Sequence, residues 1–476
     1  MKRFRATVIS FVALWSCLTA CGPATKGPDS ELKSRRQTAQ NLGFLADLPP
    51  QKPTDVVVQL FNWPFDRITN EMPLLARMGY AQIHVSPPNL TIDSDQWWGR
   101  YQPVDYRKIE GPLGDEAAFK RMIDAAKRNG IRIIVDIVFN HTANERSPLP
   151  ASAEVLNRTL GPLFSAQDYQ PAFCISDYND VYQVRKGRLC GGAGDSGLPD
   201  LDQNSPRVLQ VQQDFLRYLV GLGVDGFRLD AVKHMEPSYF SQLLRKDIVG
   251  DRFIFGEIIA DNATFDRDIS PYLQAYPMSL YDFPLRSTIQ RAFSFGANLS
   301  ELVSPDLVNQ RKALAWDRAV TFVINHDIPN NDGFRFMIMD PTDEKLAYAF
   351  ILGRSEGVPY VYSDLGTRGG AGLRDDRWAF AHRSADLARM IYFHNHVHGT
   401  LSKVLYADAC RILVARDGKG IFGINKCLEP FQGQFSDERF QAGNYRELRS
   451  GANVRAEGSS LSISLPPRSY TLLVRL

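Results

Sequence analysis

The stretch GVDGFRLD, residues 223–230, is apolar at Phe227 and Leu229 and charged at Arg228 and Asp230. On a strand, residues two apart share a face, so Arg228 and Asp230 project to one side and Phe227 and Leu229 to the other. A second short run, FIFGEI (253–258), brings Glu257 to its end. Working outward, similar apolar or β-branched runs occur at DVVVQLF (55–61), AQIHVS (81–86), IRIIVDIVF (131–139), MSLYDF (278–283), AVTFVIN (319–325) and GVPYVYS (357–363), which makes eight. Helical segments lie between them. In DEAAFKRMIDAAKRNG (115–130), Phe119, Met122, Ile123 and Ala126 keep helical spacing and a glycine closes the segment. Eight strands alternating with crossover helices predict an α/β fold, a closed (β/α)8 TIM barrel with its active site at the C-terminal ends of the strands.

The interval between the third and fourth runs is too long for a single loop and helix. Residues 142–205, rich in Gly, Pro, Asp and Ser, are expected to form an excursion domain, leaving barrel parts at 55–141 and 206–398. From 399 to 476 the pattern changes to short alternating segments such as ACRILVA, GIFGIN and SYTLLVRL. These predict a C-terminal antiparallel β-sandwich domain.

The chain opens with MKRFR, an apolar run from Ala6 to Leu18, and Leu18-Thr19-Ala20-Cys21-Gly22. That is the layout of a signal peptide over 1–20, too short for a stable spanning helix. The small residues before Cys21 resemble a bacterial lipoprotein processing site. Cleavage there would leave a diacylglyceryl thioether on Cys21, whereas an ordinary signal-region cysteine would carry none. Residues 21–54, polar and rich in Pro and Gly, read as a tether. The expectation is an exported monomer held to the bacterial cell envelope by lipid.

Cys174, Cys190, Cys410 and Cys427 fall into two sequence-local pairs, which in an exported protein read as disulfides 174–190 and 410–427. A four-cysteine zinc site is the alternative, but neither pair has the short C-x2-4-C spacing. With 476 residues and 44% hydrophobic content the chain can bury a large core, which excludes a disordered protein. Without Lys2, Arg3 and Arg5 it carries 52 basic against 53 acidic residues, so nothing points to a nucleic-acid partner.

Three carboxyl groups fall at or just past strand ends. Arg228 beside Asp230 would hold that carboxylate ionised, as a nucleophile requires, although a structural Asp-Arg pair would look the same. Glu257, followed by Ile258 and Ile259, sits in apolar sequence that would raise its pKa toward that of a general acid; a glutamate pointing to solvent is the alternative. Asp327, after Asn325 and His326, is either a third site carboxylate or a helix N-cap. Upstream, WWGRYQP (97–103) offers Trp97, Trp98 and Tyr101 as flat faces for sugar rings or as core.

Taken together, the segments resemble the α-amylase family of glycoside hydrolases, family 13 type. DIVFNH (136–141), GFRLDAVKH (226–234), FGEII (255–259) and FVINHD (322–327) are similar to its four signatures in order, with LPDLDQ (198–203) similar to an auxiliary one. WWGRYQPVDY (97–106) and QVR (183–185) lean toward its animal-like branch. The resemblance covers roughly residues 54–476. It implies retaining hydrolysis of α-1,4-glucans such as starch, glycogen or maltooligosaccharides, with Asp230 as nucleophile, Glu257 as acid/base and Asp327 as transition-state stabiliser. Arg228, His141, His326 and Tyr101 would line the reacting sugar, Trp97 and Trp98 would stack on neighbouring glucose units, and Lys233 and His234 would lie on the leaving-group side. It also implies a structural Ca2+ held by the side chains of Asn140 and Asp200 and the carbonyls of Arg185 and His234.

Two departures stand out. Ile324 occupies a position where many members carry aspartate, and the strand GVPYVYSD (357–364) lacks the basic residue that would complete a chloride site with Arg228 and Asn325. Chloride dependence is therefore not expected. Rival readings are a glucan transferase or another α-glucosidase on the same fold, and a starch-binding lipoprotein without catalysis, which would require a missing carboxylate.

Overall fold

The computed structural model describes Thr38 and residues 42–476, apart from 193, 367–375, 439 and 441–442. The expected signal peptide (1–20), Cys21 and the expected tether through residue 41, Thr38 excepted, lie outside the described residues. Eight strands close into a barrel: β1 (Val57–Leu60), β2 (Gln82–Val85), β3 (Arg132–Ile137), β4 (Gly226–Leu229), β5 (Phe253–Gly256), β6 (Ser279–Tyr281), β7 (Ala319–Phe322) and β8 (Val358–Ser363). Every neighbour is parallel, and β8 returns to β1 with Val57 opposite Tyr360. Each of the eight sequence runs contains one strand. The strands are shorter than the runs because the last residues of several runs leave the ladder to form the rim.

Helices cover the outside, so the strands are buried on both faces and read as apolar runs without alternation. The helix Glu116–Arg128 shows how sequence dictates this layer. Asp115 caps it by accepting from the Ala118 amide, and the predicted stripe of Phe119, Met122, Ile123 and Ala126 is buried. Each large side chain so buried stabilises the fold by about 1.5–3 kcal/mol.

The excursion leaves the barrel after His141 and rejoins it at the helix Pro206–Leu222. It carries the helices Ala151–Leu160 and Val181–Lys186 and the disulfide Cys174–Cys190, and a bridge between His141 and Asp200 ties its two ends together. The C-terminal part forms antiparallel sheets of six and two strands with the disulfide Cys410–Cys427. It docks closely on the barrel: a Cβ at Gly353, the end of helix Pro341–Gly353, would lie 2.6 Å from the ring of Phe422. At the other end, packing begins ahead of position 55. Leu42 and Leu48 are buried, Tyr392 donates to the Pro49 carbonyl, and Thr54 donates to Asn395 on the last barrel helix, Ala385–Val397.

A buried charge cluster joins the first helix of the barrel to its last quarter. Glu71, on helix Phe65–Met78, accepts from Arg383 Nε and Nη2 at 2.7 Å each and faces His382 Nε2 at 3.0 Å. Burial pushes the Glu71 carboxyl up, but His382 and Arg383 outweigh it and hold it at about 2, below its ordinary 4.5. A depressed folded-state pKa gives stability that is fully present above the ordinary value and lost as pH falls toward the folded one. Urea midpoints measured across the acid range should therefore fall steeply below about pH 4.5 in the parent. Glu71→Gln should show a shallower slope there and a lower midpoint at neutral pH, where the charge contacts of Glu71 with Arg383 and His382 are lost.

Candidate active site

Two of the three expected carboxylates are carried on backbone that the sheet still grips. The Asp230 amide donates to the Ile137 carbonyl at 2.8 Å, and the Glu257 amide donates to the Leu229 carbonyl at 2.9 Å. Past Asp230 the chain turns at once, with Ala231 in the left-handed region at φ 51°. Such a conformation costs a non-glycine residue about 1–2 kcal/mol and is retained where surroundings enforce it. Asp327 opens the short helix Asp327–Asn330, but His326 occupies the N-cap position and no side chain caps it. The N-cap alternative for Asp327 therefore fails, and its Oδ2 lies 3.5 Å from both Asn325 Nδ2 and His326 Nε2.

Arg228 joins the group. Its Nη1 donates to Asp136 at 2.8 Å and to Asp230 at 2.7 Å, and its Nη2 lies 2.6 Å from Glu257 Oε1 as an ion pair outside hydrogen-bond geometry. All of this is buried. Burial raises the Asp136 carboxyl, but Arg228, then His84 and His326, outweigh it and keep it well below the usual range. Asp230 and Asp327 are pushed the other way, by burial and by the neighbouring carboxylates, with Arg228 opposing. One guanidinium cannot hold Asp136, Asp230 and Asp327 all ionised. The cluster keeps a shared proton above the ordinary carboxylate range, and that proton belongs to the group as a unit. A cluster of this kind can supply one ionised carboxylate and one carboxylic acid together.

Aromatic rings wall the site. His326 is stacked between Phe61, at 4.8 Å, and Tyr101, at 5.0 Å, and burial lowers its pKa well below the usual value. The Gln59 amide sits 3.1 Å from His326 Nδ1, so a neutral ring accepts there and carries its proton on Nε2, which faces Asp327 at 3.5 Å. Tyr101 donates to Asp136 at 2.8 Å. Trp97 packs near Phe61 and His326, whereas Trp98 is 38% exposed on the same short helix, Trp97–Tyr101.

The remaining expected residues are placed as follows. His141 is buried, with Nε2 3.0 Å from the Tyr101 carbonyl and its pKa lowered by burial to about 4. Lys233 pairs with Asp268 at 2.9 Å, and His234 Nδ1 donates to the Val184 carbonyl at 2.8 Å beneath the excursion. Those contacts turn both side chains toward the excursion and its neighbours. Asp200 is buried with no hydrogen bond of good geometry to either carboxylate oxygen, and Asn140 Oδ1 is likewise unpartnered. Burial raises the Asp200 carboxyl far above its usual range, with Asn140, Lys186 and Arg188 only partly opposing. Unpartnered buried oxygens cost about 1–3 kcal/mol each, more when charged, so this pair has the character of a cation site.

Asp136, Gln59, His84 and Phe61 were not singled out from sequence. A signal existed for three of them. Asp136, Gln59 and His84 are polar residues inside otherwise apolar strand runs, and such residues need partners when buried. Asp136 lies directly opposite Arg228 in the register of β3 and β4.

A parallel barrel that holds paired, proton-sharing carboxyl groups at its strand ends, walled by rings, is built like a glycoside hydrolase. Comparison with known proteins narrows this. Residues 65–364 match the model of the alpha-amylase catalytic domain. An alpha-amylase from Aeromonas hydrophila is 38% identical over 450 residues, covering 88% of this chain and 96% of that protein. An alpha-amylase-related protein from Drosophila auraria is 30% identical, covering 87% and 90%. The crystal structure of alpha-amylase I from Eisenia fetida superimposes with a TM-score of 0.76 at 24% identity, covering 90% of this chain and 98% of that one, a likeness of fold. The chain belongs to the α-amylase family of glycoside hydrolases.

Arg228 gives the site its clearest test. Arg228→Leu should cost about 3–5 kcal/mol, because Asp136 is left buried without its counter-charge. Arg228→Lys should recover part of that stability but stay about 10²-fold slower on substrate, since a single ammonium cannot reach three carboxylates. Melting temperatures and steady-state rates of the two variants check both outcomes.

Proposed function

We propose that the chain is an α-amylase that cleaves α-1,4-glucosidic bonds of starch, glycogen or maltooligosaccharides with retention of configuration. The observation that carries this reading is one guanidinium, that of Arg228, in contact with both Asp230 and Glu257 at neighbouring strand ends. Side-by-side carboxyl groups favour the spacing of about 5–5.5 Å of retaining enzymes over the wider spacing of inverting ones. Asp230 attacks the anomeric carbon while Glu257 gives its proton to the leaving oxygen, and the glycosidic C–O bond breaks as the glycosyl ester forms. Glu257, now ionised, takes a proton from water, whose oxygen displaces Asp230 from the same carbon. Asp327 and His326 grip ring hydroxyls more tightly as the sugar flattens toward an oxocarbenium ion.

The stacked pair Tyr101 and His326 offers a face to the reacting sugar, and exposed Trp98 suits a glucose further along the chain. A glucan transferase would use the same carboxylates, and product chromatography after digestion of maltooligosaccharides separates the two by the presence of products longer than the substrate. Asp230→Asn should lose at least about 10³-fold in rate while keeping its melting temperature and starch affinity. A variant retaining rates near the parent would overturn the assignment of Asp230.

We read the buried oxygens of Asn140 and Asp200, with the carbonyls of Arg185 and His234, as a structural Ca2+ site between excursion and barrel. Its donors are all oxygen, as calcium prefers, and the ion would neutralise Asp200, which Lys186 and Arg188 offset only in part. A bound ion stabilises only the folded state. Excess chelator should lower melting temperature and activity together, and Asp200→Ala should abolish the response to added calcium. Chloride is not part of this proposal, since residues 357–364 contain no arginine or lysine. Attachment to the cell envelope through lipid on Cys21 is proposed from the sequence pattern alone, with the catalytic part a monomer.

A further inference from the structure

The end of the barrel opposite the carboxylates carries a second cluster. Asp55 lies two residues before β1, so it sits at the N-terminal end of the strands, away from the rim that holds Asp230, Glu257 and Asp327. His394 lies on the last barrel helix and His398 just beyond its end, four residues on and therefore on the same face. One donor atom from each of the three residues lies within 4.8 Å of the others. We propose that Asp55, His394 and His398 form a zinc site that fastens the segment leading into β1 to the last helix of the barrel.

The distances suit the ion. His394 Nε2 is 2.7 Å from Asp55 Oδ1, and His398 Nδ1 is 3.9 Å from Asp55 Oδ2. Tetrahedral zinc with bonds of about 2.0–2.1 Å spaces its ligand atoms about 3.3 Å apart, between those two values. Closing on the ion draws the exposed His398 ring inward, from a donor atom that already lies within 4.8 Å of the other two. The outer shell is in place as well: His394 Nδ1 faces the Leu352 carbonyl at 3.2 Å, a partner that puts the proton on Nδ1 and frees Nε2 for metal. The Thr54 hydroxyl, whose proton goes to Asn395 Oδ1 at 2.7 Å, lies 3.1 Å from Asp55 Oδ1 and ties this segment to the same helix.

Burial is graded across the site. The His394 side chain is 4% exposed and that of His398 is 45% exposed, so zinc enters from the His398 side and keeps a water in its fourth position. Two imidazoles and one carboxylate are the ligands of a borderline cation and not of calcium, which takes six to eight oxygens. Zinc replaces the proton shared by His394 Nε2 and Asp55 and gains His398, which the ion pair alone leaves at 3.9 Å. Lying at the end of the barrel away from the carboxylates, the site acts on stability and not on turnover.

The test uses the full chain stripped of metal and resupplied with saturating Ca2+, to which Zn2+ alone is then added. Bound zinc is measured by equilibrium dialysis with elemental analysis, and melting temperature is followed in parallel. The parent should take up one equivalent and melt higher. His398→Ala should bind zinc about tenfold or more weakly and lose the zinc-dependent rise, with starch hydrolysis unchanged. His396→Ala, on the same helix but outside the cluster, should behave as the parent, and Co2+ in place of zinc should give the visible absorption of a tetrahedral site in the parent and not in His398→Ala. Zinc uptake by His398→Ala as tight as that of the parent, or no uptake by the parent, would overturn the proposal and leave a plain Asp-His ion pair.

Discussion

The ion pairs of Arg228 are the constraint on which the rest of the site depends. A guanidinium buried at the centre of a barrel is tolerable only if its donors find acceptors, and Asp136, Asp230 and Glu257 provide them. The same group that satisfies the barrel interior also sets the spacing and charge of the carboxylates above it. Stability and chemistry therefore share one side chain. Asp136, on the strand next to Arg228, is held low by the guanidinium and absorbs much of its charge, while burial and neighbouring carboxylates push Asp230 and Asp327 up. The shared proton follows from that imbalance.

Precision at the rim comes from the ladder beneath it. Asp230 and Glu257 are the first residues past their strands, yet each keeps one backbone hydrogen bond to the neighbouring strand. Their Cα positions are therefore set by the barrel and not by the loops, which can vary without disturbing them. Gly256 serves the same end, since a Cβ there would lie 2.8 Å from Val232 in the turn that follows Asp230. Asp327 is different. It stands several residues past β7 and relies on the stack of Phe61, His326 and Tyr101, and on Gln59 holding the ring of His326 at its far nitrogen.

Much of this was legible in the sequence because barrel strands are buried on both faces and stand out as apolar runs. All eight runs hold a strand, and two of the carboxylates expected at their ends, Asp230 and Glu257, meet on Arg228. What escaped notice has a physical reason. The partners of Arg228 come from different strands, and Asp136 is 92 residues away in sequence, so no local pattern reports the pairing; only the barrel's register does. Phe61 looked like any apolar strand end until the stack on His326 gave it a role. The lead-in from residue 42 read as a tether because its composition is polar, although Leu42 and Leu48 are buried and Pro49 and Thr54 are bonded to the last helix.

The excursion domain links the cation-type pocket to substrate geometry without any direct contact between them. Asn140 and His141 are adjacent, and His141 is bridged in backbone to Asp200 on the returning strand of the excursion. His141 in turn faces the carbonyl of Tyr101, whose ring is stacked on His326 and whose hydroxyl binds Asp136. An ion drawing Asn140 and Asp200 together would therefore fix the backbone from which this chain of contacts starts. The buried, unpartnered oxygens of Asp200 are thus linked through the His141 bridge to the carbonyl that holds Tyr101. That link is positional, carried through backbone at His141 and Tyr101, and it is separate from the charges that Arg228 holds, except where the Tyr101 hydroxyl meets Asp136.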